Sequence, residues 1–169
     1  MLVVLLIAPA ASACSDNDTA QDKFTHTAER YALQKEPGWQ LQEAVDPRPD
    51  DPIAANDRPP MDWYAEYVRS SYTEMVRLSG HAATVAQSRA ALEAVNFSFE
   101  EADVAGFDLA LSGGSALDES GPAFLLFPGG PGTLILLSYE VGTEELVAFA
   151  HTVEAANEDE WRASGGVTR

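Results

Sequence analysis

The sequence predicts one α+β domain, an antiparallel sheet of about six strands with two helices packed on one face. Three observations carry that prediction. Short runs such as Trp39–Val45 alternate apolar and polar residues at the two-residue period of a half-buried strand. Two nearly unbroken apolar runs, Ala123–Phe127 and Thr133–Ser138, flank the turn sequence Pro128-Gly129-Gly130-Pro131-Gly132. Two further stretches place their apolar residues at helical spacing.

Taken in order, Tyr31–Gln34 and Trp39–Val45 are two short strands around the turn signal Pro37-Gly38. In the second, Trp39, Leu41, Glu43 and Val45 share one face. Asp46 to Pro60 holds five of the ten prolines, which excludes helix and central strand and predicts a long exposed loop. Asp62–Arg69 is read as a strand on its aromatics, although Asp62 could equally cap a helix. Its partner is Tyr72–Ser79, with Tyr72, Glu74, Val76 and Leu78 on one face and Gly80 as its end. His81–Val95 lacks glycine and proline, and Val85, Leu92 and Val95 with Ala82 and Ala86 mark a helical stripe. Gly106–Ser112 is a strand with Phe107, Leu109 and Leu111 inward, closed by Gly113-Gly114.

The two apolar runs from Ala123 and Thr133 form a hairpin with a five-residue loop. Being apolar throughout, both strands are expected to be covered on both faces. Thr143 then caps a helix with Glu144 and Glu145 in its first turn, where the dipole favours acids. Leu146, Phe149, Ala150 and Val153 form its inner face. Asn157 opens a last turn with Glu160 at capping-box spacing, and Trp161 folds back onto the body.

Ahead of the domain, Met1 to Ile7 is a compact apolar run and Ala8 to Ala13 is built of small residues. The single cysteine, Cys14, follows, and then the acidic, polar stretch from Ser15. This is the shape of a secretory signal over residues 1–13. It is well short of the ~20 apolar residues of a transmembrane helix. Residues 14–27 lack apolar periodicity and read as an acidic tether, leaving 28–169 as the domain. The acids at 16, 18 and 22 lack the glycine and distal glutamate of an EF-hand loop.

Ala11-Ser12-Ala13-Cys14 resembles the lipobox of bacterial lipoproteins. The resemblance implies cleavage before Cys14 and lipid on its thiol and amine, so that acyl chains tie the protein to a membrane. Two departures stand against it: Ala11 occupies a position where the family prefers a leucine-like residue, and no Lys or Arg precedes the apolar core, as an internal start at Met1 would give. Ordinary cleavage after Ala13 would instead leave a free thiol. From Asp62 to Trp161 the chain resembles small secreted proteins of uncharacterised role from actinobacteria. It does so through Trp63, Tyr64 and Tyr67, the mid-domain helix, and the ending Leu137-Ser138-Tyr139, Glu144 to Ala150, Trp161. That ending is loosely similar to envelope sensor domains near anti-sigma factors. These motifs are structural, so the resemblance implies no functional residue beyond Cys14.

The net charge is −17, from 27 acids against 10 bases. Phosphate recognition needs clustered Lys and Arg, so nucleic acid is not an expected partner, and neither is direct adsorption to anionic lipid. With one cysteine there is no intrachain disulfide, and the fold rests on packing. The catalytic patterns are missing. Pro128–Gly132 has no following Lys-Ser/Thr and opens no helix, unlike a phosphate loop. Ser112-Gly113-Gly114-Ser115 lacks the Gly-x-Ser-x-Gly order of a nucleophile elbow and reads as a polar turn. His26, His81 and His151 show no metal-ligand spacing, and the acid pairs Asp50-Asp51, Glu100-Glu101, Glu144-Glu145 and Asp159-Glu160 read as solvated faces. Trp39, Trp63, Tyr64 and Tyr67 could line a groove for an apolar or sugar-like ligand, or pack in the core.

The expected function is therefore a non-enzymatic binding or sensing module. It would be held at the extracytoplasmic face of the cell membrane by lipid on Cys14, or secreted if Cys14 is not lipidated. An envelope protein is the expected partner, and no cofactor is expected. The alternatives are a carrier of a lipid or hydrophobic small molecule and, further off, a hydrolase using Ser, His and Asp residues.

Overall fold

The computed structural model describes residues 31–46, 61–69, 72–104, 107–117, 121–129 and 132–168. Cys14, the signal and tether segments, and the proline-rich stretch beyond Asp46 lie outside them. Ten strands and three helices are present among the described residues. The strands are β1 (Tyr31–Gln34), β2 (Gln40–Asp46), β3 (Trp63–Arg69), β4 (Glu74–His81), β5 (Phe97–Val104), β6 (Phe107–Ser115), β7 (Ala123–Gly129), β8 (Gly132–Ser138), β9 (Val153–Ala156) and β10 (Val167–Thr168). The helices are α1 (Val85–Glu93), α2 (Thr143–Ala150) and α3 (Glu158–Ala163). Eight strands form one sheet in the order β10-β2-β3-β4-β8-β7-β6-β5, antiparallel except for the two-residue β10; β1 and β9 form a separate antiparallel pair. The sheet is thus α+β in kind but larger than the six strands expected.

The expected placement of both helices on one face is corrected. Consecutive residues of a strand point to opposite faces. On β7 and β8, Leu125, Phe127, Leu134 and Leu136 pack with Leu146, Phe149 and Ala150 of α2 and with Trp161 of α3. Phe124, Leu126 and Ile135, on the other face, pack with Leu92 of α1. Central strands that are apolar throughout need cover on both sides, and one helix layer per face supplies it. No helix among the described residues is long and apolar enough to cross a membrane.

Several element boundaries differ from expectation for local reasons. A register shift between Leu41 and Glu43 puts Leu41 and Ala44 on the same side, breaking the simple alternation of β2. Tyr72 sits in the β3–β4 turn with φ 69°, and is exposed instead of sharing a strand face. His81 closes β4, and α1 starts later, after Thr84, whose side chain forms a capping box with Gln87. Val95 lies beyond α1 and is exposed. A register shift between Ala102 and Val104 places Phe107 and Leu111 in different core clusters and leaves Leu109 61% exposed. The β7–β8 ladder runs through Pro128↔Thr133 to Gly129↔Gly132, so the loop is tighter than five residues. Pro128 is tolerated because pairing with β6 ends at Leu126. The N-cap of α2 is Gly142, not Thr143, and Val153 has left the helix to pair with Gln34. The Asn157–Glu160 capping box forms as expected.

Candidate binding groove

On the face covered by α2, the sheet changes character from its centre to its β5 edge. Leu78, Leu136 and Leu125 of the central strands are fully buried under the helix layer. The next positions across the ladder are small and polar. Ser112 lies opposite Leu125 and Glu100, and Gly114 lies opposite Ala123 and Ser98. Large side chains and helix cover stop together, and a groove of about 690 Å³ opens between β5–β6 and the segment leading into α2. That volume is within the ~300–1,000 Å³ of small-ligand pockets.

The two glycines of β6 act on opposite faces. A Cβ on Gly113 would fall 2.2 Å from the Ser98 carbonyl and 2.5 Å from the Phe99 ring, so Gly113 lets β5 pack closely. A Cβ on Gly114 would meet only the Pro122 carbonyl at 3.4 Å, which leaves the groove floor open. Ser112 is 5% exposed, on the floor of the groove. The expected polar turn at Ser112–Ser115 is therefore corrected: it is the end of β6 and part of the groove.

The opposite wall is Tyr139 to Thr143. Ser138 builds it: its hydroxyl donates to the Met75 carbonyl at 2.6 Å and accepts from the Glu140 and Val141 amides at 3.1 Å each. This bend leaves Tyr139 62% exposed beside the groove. The N-cap Gly142 has no side chain to bond the first amides of α2. The first intrahelical bonds come from Glu145 and Leu146, so the Thr143 and Glu144 amides are left over. Glu100 and Glu140 supply carboxylates, and none of the described lining residues is Lys or Arg.

The residues singled out from sequence lie elsewhere. Trp39, Trp63, Tyr64 and Tyr67 are all buried on or beside β2 and β3, towards the far end of the sheet, and none lines the groove. Trp39 packs edge-on to Phe149 at 5.2 Å, beneath the Arg69 guanidinium at 4.5 Å. Arg69 bonds Glu145 and Glu74, and these contacts, Glu145 first, hold its pKa above the ordinary arginine value. Trp63 lies against Tyr31 and Trp161. Arg77 covers Tyr64 at 5.2 Å. The Tyr67 hydroxyl accepts from the Gln34 amide at 3.1 Å; burial raises its pKa above 10.0, and this bond opposes the rise.

His151 is exposed at the C-cap of α2, and His26 lies outside the described residues. His81 is buried, with Nε2 2.9 Å from the Ser79 hydroxyl. Two positions apart on β4, they share a face by strand geometry. The Ser79 hydroxyl also donates to the Ile135 carbonyl at 3.3 Å. Which of Nε2 and the serine oxygen donates in their contact follows the His81 tautomer. A smaller cleft of about 320 Å³ lies between α1 and the β5–β6 pair, beside the exposed Leu109. Among the described residues no group of three or more His, Cys, Asp or Glu could hold a metal ion.

Sequence reasoning missed Ser98, Glu100 and Ser112 as site residues, and Tyr139 entered it only as part of a resemblance. The alternation of Phe97 and Phe99 with Ser98 and Glu100 was the available signal for β5. Comparison with protein-family models, with curated proteins and with solved structures returned no match.

Proposed function

We propose that this chain is an exported lipoprotein anchored through Cys14, whose domain is a non-enzymatic binding or sensing module that takes its ligand in the β5–β6 groove. The observation that carries the binding site is the groove of about 690 Å³ that opens where helix cover stops over the small, polar end of β6. The described lining places carboxylates beside hydroxyls without bringing a histidine to them, an arrangement suited to holding a ligand more than to acyl transfer. The lipid anchor rests on the lipobox resemblance alone.

Two measurements test this reading. Metabolic labelling with an alkynyl palmitate should mark the wild-type chain and not Cys14→Ser; an unlabelled wild type removes the anchor. A photo-crosslinking residue at position 139 should capture a ligand or envelope partner in cells, whereas one at the remote Tyr72 should not. Equal capture at both positions would remove the groove from the proposal.

The Ser79–His81 contact favours a second reading, a serine hydrolase. It requires the pair to open, since both residues are buried. Labelling by a fluorophosphonate that disappears in Ser79→Ala would establish it; an unlabelled wild type discards it.

A further inference from the structure

We propose that the β5 edge of the main sheet is a docking site for an extended basic segment of a partner protein, which joins the sheet as a further strand. The two ends of the sheet differ. One is the two-residue β10, too short to template a partner. The other is the eight-residue β5, and no described strand pairs with its outer side. One hydrogen bond fixes which backbone groups face out. The Ala116 amide donates to the Asn96 carbonyl at 2.8 Å, and Phe97 lies opposite Ser115. Bonded and non-bonded pairs alternate along an antiparallel ladder. Ser98, Glu100 and Ala102 therefore turn their amides and carbonyls to β6, and Phe97, Phe99 and Glu101 direct theirs outward. Such a row templates the pairing of an incoming strand. The flanking side chains select its chemistry. β5 carries Glu100, Glu101 and Asp103, all exposed, and no Lys or Arg. Arg89, across the smaller cleft from Glu101, is already bonded to Glu93 at 2.7 Å. In a chain of net charge −17 these carboxylates repel a second copy of the same edge and attract Lys or Arg. Phe97 and Phe99 are only half-buried on the α1 face, so apolar residues alternating with the basic ones would complete their cover. Exposed Val95 precedes the strand and exposed Leu109 stands across from its bulge, which extends the apolar surface at both ends of the edge. The site is separate from the groove, which Glu101 does not line.

The test titrates the full chain in detergent with an end-capped heptapeptide of alternating Lys and Val. Two control peptides separate the causes: one with Glu in place of Lys reverses the charge, and a fully N-methylated copy keeps the charge and loses the amide donors. Saturable binding of the Lys peptide is expected, about tenfold or more tighter than either control. It should weaken as salt rises from about 0.05 M to about 0.5 M. Glu101→Pro removes an outward amide and leaves the β6 ladder in place, so it should keep the urea midpoint and weaken the peptide by about tenfold. Glu101→Lys keeps the backbone, and should weaken the Lys peptide while strengthening the Glu peptide. If the proline lowers the urea midpoint, the lysine variant and the N-methylated peptide decide. The proposal is overturned if the Lys peptide does not saturate at millimolar concentration, if either control peptide binds as well, or if the folded variants bind it like wild type. A wild-type dimer in sedimentation that Glu101→Pro dissociates would overturn it in favour of a second copy. In-cell capture at position 139 reports on the groove alone and should be indifferent to Glu101→Pro, so the two sites fail separately.

Discussion

Replacing Trp161 should produce the largest single loss of stability among the peripheral elements. The residue sits on the six-residue α3, too short to be stable alone, yet its indole is fully buried. It stacks on Tyr31 at 4.5 Å and 22°, and meets Trp63 edge-on at 6.3 Å. One side chain therefore joins α3, the β1–β9 pair and the main sheet. Truncating a buried tryptophan to alanine costs about 3–5 kcal/mol, against a total of roughly 5–15 kcal/mol for a domain. The indole Nε1 has no hydrogen-bond partner among the described residues, which costs some stability. Phenylalanine would keep a ring against Tyr31 and remove that unpaired donor, a relief of about 1–3 kcal/mol that offsets much of the lost packing. Trp161→Ala should therefore lower the urea midpoint severely, and Trp161→Phe only slightly, with an unchanged denaturant slope. Far-UV circular dichroism under urea measures both. A loss below about 1 kcal/mol for the alanine variant, or equal losses for the two, would refute the role given to the indole.

Three other expectations follow from single contacts. Gly80→Ala would place a Cβ 2.2 Å from Nε1 of the buried Trp63, so about 1–3 kcal/mol of overpacking should appear as a lowered melting temperature. Thr84→Ala should cost about 1 kcal/mol through loss of the α1 capping box, with Thr84→Ser close to wild type in the same urea titration. Burial holds the folded Tyr67 phenol above its ordinary pKa of 10.0, so the unfolded chain loses that proton first. Its contribution is intact below pH 10.0 and is lost as pH rises through the folded value; Tyr67→Phe should flatten the alkaline fall in stability.

The sheet centre was legible because its signals are local and redundant. The β3–β4 pair and the β7–β8 hairpin follow from alternation or apolar runs bounded by turns, and Asn157–Glu160 announces its own helix start. What failed was geometry that depends on partners. The register shifts in β2 and β5–β6 turn Leu41 and Leu109 away from where alternation puts them. Val153 continues the helical spacing of Leu146 and Phe149, but pairing with β1 captures it. The four aromatics read as possible ligand contacts are where large rings gain most from burial, in the core at the β2–β3 end of the sheet.

The groove was hidden for the converse reason. Ser112, Gly113 and Gly114 look like a turn because two adjacent glycines weaken a strand and offer nothing to pack. Their place in β6 is imposed by neighbours: Phe99 lies over Gly113 on one face, while β7 pairs along the other side of the strand. Once the strand is held from outside, its missing side chains become space on the α2 face. The same substitution pattern that reads as weak structure in one dimension is an open floor in three. It follows that filling the floor should separate the two roles of the glycines. Gly114→Ala meets only the Pro122 carbonyl at an ordinary contact distance and should leave urea stability nearly unchanged while narrowing the groove. Gly113→Ala drives a Cβ into the Ser98 carbonyl and Phe99 and should destabilise the β5 edge by about 1–3 kcal/mol. Equal effects of the two on stability would show that the glycines serve the fold alone.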